Sequence, residues 1–137
     1  NQSFANRVNY LDRRVSQREE ELSVFTDANF KMVKLKGTPN SPESNILVAW
    51  NPKAQKVMID LQNMKMPQND QEHQYQLWAL VDGKPVDLGV FDANQKGDEL
   101  MKTMKSIGVA QAFAVTLEPR GGSVSPTLDK MMVMGAI

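Results

Sequence analysis

Cysteine is absent from this chain of 137 residues, and histidine occurs once, as His73. The first absence excludes thiol catalysis, disulfides, cysteine-ligated iron–sulfur clusters and cysteine-based zinc sites, and the second removes histidine-rich zinc sites as well. Neither fixes a compartment, because cysteine-free chains occur in cytosol and periplasm alike. Net charge is missing too: sixteen Lys and Arg stand against sixteen Asp and Glu. With no summed positive field, binding to a polyphosphate loses its main driving term, and nucleic acid drops out as a partner. No run of about 18 apolar residues occurs, so nothing reads as a membrane span. The N-terminus lacks the basic, apolar and small-residue succession of a signal peptide. The chain starts at Asn1 without an initiator methionine, and the expectation is a piece of a longer protein. What is present, 41% hydrophobic and 23% charged residues, suits one soluble globular domain.

The first segment differs in kind from the rest. Phe4, Val8, Leu11, Val15, Arg18, Leu22 and Phe25 follow one another at alternating spacings of four and three, with polar residues between them. This pattern predicts an amphipathic helix from Ser3, a suitable N-cap, to Phe25, about 35 Å long and apolar along one narrow stripe. The stripe Phe4, Val8, Leu11, Val15, Leu22 and Phe25 needs a cover. That cover is either the protein's own domain or a second copy of the helix, and Arg18 on the seam makes such a dimer weak.

From Phe30 onward helical spacing gives way to short alternating stretches divided by turn residues, which is the texture of a β protein. Strands are expected at Phe30–Lys36, Ile46–Trp50, Lys56–Leu61, Leu100–Met104, Ala112–Glu118 and Met131–Ile137. Within Lys56–Leu61, alternation sends Val57, Ile59 and Leu61 inward and Lys56, Met58 and Asp60 to a wet face. The strongest local signal is Asp82-Gly83 between two apolar runs, starting at Tyr75 and ending at Phe91. Both residues tolerate positive φ, as a two-residue type I′ hairpin turn requires. About seven or eight strands without intervening helices predict an antiparallel β-sandwich preceded by one helix, with Tyr75, Leu77, Val115 and Leu117 inside.

Reactive constellations are scarce. Ser123 follows Gly121-Gly122, but a nucleophile elbow needs a second glycine two residues after the serine. His73 lies in the polar run Gln68–Gln74 and reads as a surface residue. Asp92-Ala93-Asn94-Gln95-Lys96-Gly97 begins like a calcium loop, then fails at Lys96, where an oxygen ligand belongs, and at Thr103, where a bidentate glutamate belongs. The nine methionines suit core filling better than soft-metal ligation. Trp50, Trp78, Tyr75 and Phe113 fall within predicted strands and read as an aromatic core. Asp60, Asp82, Asp87 and Asp92 each have a turn or surface explanation. No catalytic, cofactor or metal residue is assigned.

Taken together, Trp50-Asn51-Pro52, Lys56–Leu61, Tyr75-Gln76-Leu77-Trp78, Asp82-Gly83, Val86–Phe91 with Gly89, Phe113–Pro119 with Thr116 and Glu118, Gly121-Gly122-Ser123 and Pro126-Thr127 resemble the C-terminal domain of the anti-sigma-K factor family. The resemblance covers about Phe30 to Ile137. It implies a single-span membrane protein whose N-terminal cytoplasmic domain, absent here, holds an extracytoplasmic-function sigma factor inactive, with release tied to stepwise proteolysis. Residues 1–28 then read as a juxtamembrane stalk and 29–137 as a non-enzymatic domain on the extracytoplasmic side. No zinc-type anti-sigma motif is present, and the family's sigma-binding residues have no counterpart. Two other classes stay open. A sugar- or peptide-binding module would need Trp50 and Trp78 to face solvent in one groove. A small hydrolase would need His73 within hydrogen-bond reach of Ser123 or a carboxylate.

Overall fold

The computed structural model describes residues 27–93 and 101–137. The predicted helix Ser3–Phe25 and its apolar stripe therefore lie outside the described residues. Among the described residues eight strands follow in order: β1 Lys31–Gly37, β2 Asn45–Asn51, β3 Lys56–Asp60, β4 His73–Val81, β5 Lys84–Phe91, β6 Met101–Thr103, β7 Ala112–Pro119 and β8 Met131–Ala136. A short 3-10 turn, Leu128–Lys130, precedes the last strand.

The expected sandwich is corrected in one respect. All eight strands form one antiparallel sheet in the order β5-β4-β7-β8-β1-β2-β3-β6, where a sandwich would have two separate ones. β8 makes the difference. It pairs with β7 over Ala112–Thr116, then passes to β1 through Lys36↔Met134 and Gly37↔Val133. The two strands come so close at Gly135 that a Cβ there would sit 2.6 Å from the Lys34 carbonyl oxygen. Beyond β6 the chain crosses toward the far edge: the Met104 amide donates to Val57 O and the Lys105 amide to Leu88 O on β5, at 2.8 and 2.9 Å. The sheet is thus curled until its outer strands approach each other around one core.

Strand alternation supplies that core. Val33 and Leu35 of β1, Val48 and Trp50 of β2, Val57 and Ile59 of β3, Tyr75 and Leu77 of β4, and Phe113 and Val115 of β7 all point inward and are buried. Leu117 packs against them while keeping partial exposure. Trp50 meets Phe113 edge to face at 5.6 Å, the arrangement ring quadrupoles prefer. Its indole Nε1 donates to Ile107 O at 2.8 Å, and Ile107 and Ala110 of the segment after β6 pack against the core.

The Asp82-Gly83 hairpin forms as expected, with Val81 paired to Lys84 and φ of +53° and +78° at the two turn residues. The wet outer face of β3 forms only in part, with Lys56 exposed and Asp60 half-buried but Met58 withdrawn from water. Met58 is buried against Ala49 of β2 and Met101 of β6, with Phe30 packed on the three. The residue just before β1 folds back over this patch, which alternation alone does not reveal.

Leu77 is fully buried at the centre of β4, between β5 and β7. Leu77→Ala should therefore destabilise the domain by about 2–4 kcal/mol, the usual cost of a core cavity. Urea melts monitored by tryptophan fluorescence check this, and a loss below about 0.5 kcal/mol, the range of a surface change, would mean the inward face is wrongly assigned.

Candidate functional site

Because side chains alternate along a strand, Gln74, Gln76 and Trp78 leave β4 on the face opposite Tyr75, Leu77 and Ala79. Thr116 and Glu118 leave β7 on that same face, since Gln76 pairs with Thr116 and Gln74 with Glu118. The loop from Pro119 to Lys130 folds back over these residues. Gln76, Trp78, Thr116 and Glu118 are all buried, Glu118 with no exposure at all.

A chain of hydrogen bonds runs through the cluster. Trp78 Nε1 donates to Thr116 Oγ1 at 2.8 Å, and that hydroxyl donates to Glu118 Oε2 at 2.5 Å. Glu118 then takes three donors from the loop: Ser123 Oγ at 2.8 Å, and the backbone amide and Oγ1 of Thr127, both at 2.7 Å. Alongside, Gln76 grips the Ser123 backbone at two points. Its Oε1 accepts from the Ser123 amide at 2.8 Å, and its Nε2 donates to Ser123 O at 3.1 Å and to Asp87 Oδ1 at 2.8 Å. Gln74 Oε1 accepts from the Gly121 amide at 3.0 Å. Gly121 and Gly122 take φ of +95° and +91°, and a Cβ at Gly122 would press on Gln76 Oε1 and Val90 Cγ1 at 3.0 Å. Glycine is required there to let the loop lie flat on the strand.

Among the described residues no basic side chain pairs with Glu118, which carries its charge inside the protein. Burial pushes its carboxyl up, but the bonds from Thr116, from the amide and hydroxyl of Thr127 and from Ser123 outweigh that push and hold it below its usual 4.5. Charge-assisted bonds of this kind are roughly twice as strong as neutral ones. Two more carboxylates flank the cluster. Asp87 meets Lys105 Nζ, Gln76 Nε2 and the Gly89 amide, and Asp92 meets Asn69, Gln74 and Arg120 at 2.7, 3.0 and 3.0 Å. In both, burial raises the carboxyl and these donors lower it further, leaving it below the ordinary value. Arg120 also donates through Nε to Gln71 O, tying the start of the loop to the approach to β4.

The structure thus brings Gln76, Trp78, Thr116, Glu118, Gly121, Gly122 and Thr127 into one cluster; Pro119 accepts the Gly122 amide at 2.9 Å and Pro126 is half-buried within the loop. Trp50, Tyr75 and Leu77 lie on the other side of the sheet. Tyr75 stacks on Phe91 and donates its hydroxyl to Pro67 O at 2.6 Å, and burial raises its pKa. Gly83 sits in the hairpin turn and Gly89, at φ +110°, in the irregular pairing of β5 with β4. The sequence reading gives Gln74, Asn69 and Arg120 no role in a site and explains Asp87 as a turn or surface residue. A charged Glu118 ending the apolar run Phe113–Leu117 was the available signal, since an acid so placed needs donors from elsewhere.

The conditions of the two other classes are answered by geometry. Trp50 and Trp78 are 4% and 1% exposed, on opposite faces, and form no common groove. His73 Nδ1 does lie 2.7 Å from Asp70 Oδ1, and that bond holds the aspartate below its usual value. Ser123 joins no triad with them, for its hydroxyl donates to Glu118. Asp92 serves Asn69, Gln74 and Arg120, while Asn94–Gly97 of the calcium-like run lie outside the described residues. Among the described residues no cluster of three or more acidic or histidine side chains could hold a metal ion, and no helix is long and apolar enough to cross a membrane.

Since the folded state holds Glu118 below 4.5, its charged form stabilises the fold above that pH, and this contribution is lost as pH falls through the folded value. Glu118→Gln turns a donor toward Ser123 or Thr127, which are themselves donors. It should cost about 1–3 kcal/mol at neutral pH and shrink the acid loss of stability, with Asp70, Asp87 and Asp92 supplying the remainder. Thermal melts from pH 3 to 8 check this, and identical pH profiles for variant and wild type would refute it.

No curated protein and no solved structure matches the chain. One family model does, described as anti-sigma-K factor rskA, C-terminal, over residues 4–131. That span runs from the predicted stripe through β1–β7 and the pinned loop to the first residue of β8, so the chain belongs to the anti-sigma-K factor family as its C-terminal domain.

Proposed function

We propose that this chain is the regulatory domain of a membrane-bound anti-sigma factor, lying on the extracytoplasmic side and governing release of an extracytoplasmic-function sigma factor held by a separate cytoplasmic domain. The observation that carries the reading is the family match over residues 4–131, which takes in both the predicted stalk and the β domain. The chemistry of the described residues agrees. The buried polar groups of β4 and β7 are spent on one another and on a loop, as in a scaffold that transmits or gates and does not turn over a substrate. Stepwise proteolysis then supplies release, and a regulatory protease is the second partner. The predicted helix adds weak self-association, made effective by tethering two copies to one membrane.

A sigma-dependent reporter in cells making the full-length protein tests the regulatory role. Deleting residues 29–137 should change basal output or its response to stress, whereas His73→Ala should behave as wild type. Output unchanged by the deletion under every condition would end the regulatory reading. Protease added to spheroplasts tests sidedness, and a domain resistant until the cells are lysed would place it on the wrong side. Sedimentation tests the helix: replacing Leu11 and Val15 by Asp should abolish a concentration-dependent dimer and leave the β domain folded, and a wild type monomeric at all concentrations removes the dimer.

A further inference from the structure

The outer face of β1, β2, β3 and β6 carries a contiguous apolar patch. Met32 pairs with Ala49 and Ala49 with Met58, so the three stand side by side across three strands, and Met101 of β6 packs on the last two. Ala49, Met58 and Met101 are 0%, 1% and 4% exposed, and Met32 at the margin is 45% exposed. Among the described residues Phe30 is the apolar side chain packed on this cluster. Three adjoining strands span about 10 Å, more than one ring covers. The route of the chain indicates what else lies there. Asp27 is held at the end of β2: its Oδ2 accepts from Asn51 Nδ2 at 3.4 Å, its Oδ1 from the Asn29 amide at 2.9 Å and its carbonyl from the Phe30 amide at 3.2 Å. Asn51 stands two residues beyond Ala49 and therefore on the same face. Its Oδ1 is fixed by the amides of Lys53 and Ala54. The polypeptide thus reaches β1 from above the patch, through a pinned reverse turn, and the residues that precede the turn are those of the predicted stripe.

We infer that residues 4–25 dock on this face of their own domain, with the apolar stripe turned toward Met32, Ala49, Met58 and Met101. Connection favours this occupant over a second copy. Phe25 stands two positions before the pinned Asp27, so almost no loop has to be closed and the helix is presented to the face at high effective concentration. Length suffices, because a helix of about 35 Å exceeds the roughly 19 Å spanned by the five strands from β8 to β6. Charge agrees as well. Lys34 and Lys36 of β1 are exposed on the same outer face as Met32, and the part of the helix nearest the domain carries Glu19, Glu20 and Glu21 beside Leu22. Opposite charges then meet along the border of the apolar contact and set its orientation. One stripe cannot serve the dock and a dimer at once, so docking is what keeps self-association weak. The inference rests on the predicted helix and on the outer face, and it stands or falls separately from the regulatory reading.

Methionine oxidation tests the dock, because peroxide converts an accessible thioether to the sulfoxide and spares a covered one. In the 137-residue chain, followed by peptide mass spectrometry, Met58 and Met101 should react slowly at every protein concentration. Leu11→Asp with Val15→Asp should speed both on the order of tenfold or more, whereas Met134, 42% exposed on β8, keeps its rate. Leu11→Ala with Val15→Ala, which shortens the stripe without adding charge, should give a smaller acceleration at the same two residues. Melts monitored by tryptophan fluorescence identify any variant whose β domain has opened, and the wild-type concentration series needs no variant. Slow, equal rates in the wild type and the folded variants would mean that the face is sealed without the stripe and would overturn the dock. Wild-type rates that are fast in dilute solution and slow only at high concentration would overturn it in favour of a second copy. Rates that are fast at every concentration would overturn it outright.

Discussion

Glu118 is the constraint around which one half of this domain is arranged. A carboxylate withdrawn from water is tolerated only when its lone pairs are filled, and here four donors fill them: one from its own strand and three from the following loop. The requirement propagates. Thr116 must orient its hydroxyl toward the carboxylate, which leaves that oxygen free to accept from Trp78 and so sets the position of the indole. The loop must turn back within a few residues of β7, which demands the left-handed backbone of Gly121 and Gly122. Gln76 must take up the Ser123 peptide, and Asp87 the remaining proton of the Gln76 amide. A motif that looks scattered in sequence is the record of one electrostatic demand.

The opposite half depends mainly on apolar packing. β1, β2, β3 and β6 contribute Val33, Leu35, Val48, Val57 and Ile59 inward, and Ala49, Met58 and Met101 to a second patch beneath Phe30. β8 joins the halves. Its backbone carries both ladders, and Gly135 permits the close approach to β1.

Much of the fold was legible because strand patterns are local. Tyr75–Phe91 announced a hairpin through two turn residues and the apolar runs beside them, and each predicted strand from Phe30 to Ile137 lies within a residue or two of the observed one. What stayed hidden was long-range. Whether β8 would join β1 or stop at a second sheet depends on the absence of a single Cβ at Gly135. The burial of Met58 depends on Phe30, 28 positions away by numbering. The polar cluster was legible as residue identities and illegible as a network, because Gln76 finds Ser123 across 47 positions and Trp78 finds Thr116 across 38. Periodicity carries no information about such pairings.

The pairing of β1 with β8 brings the first and last strands of the sheet side by side. A topology of this kind has a high contact order, and its closure entropy must be met before most of the native contacts can return anything. β1, β2 and β3 can zip in sequence, as can β4 with β5, but the two groups have no shared ladder until the last strand is laid between them. On a chain that emerges from one end, whether from a ribosome or through a membrane pore, the domain stays in two halves until its final strand arrives. The curled sheet therefore reports completion: a loop held in its working geometry implies that β7 has been reached, and a joined sheet that the strand after it has been reached as well.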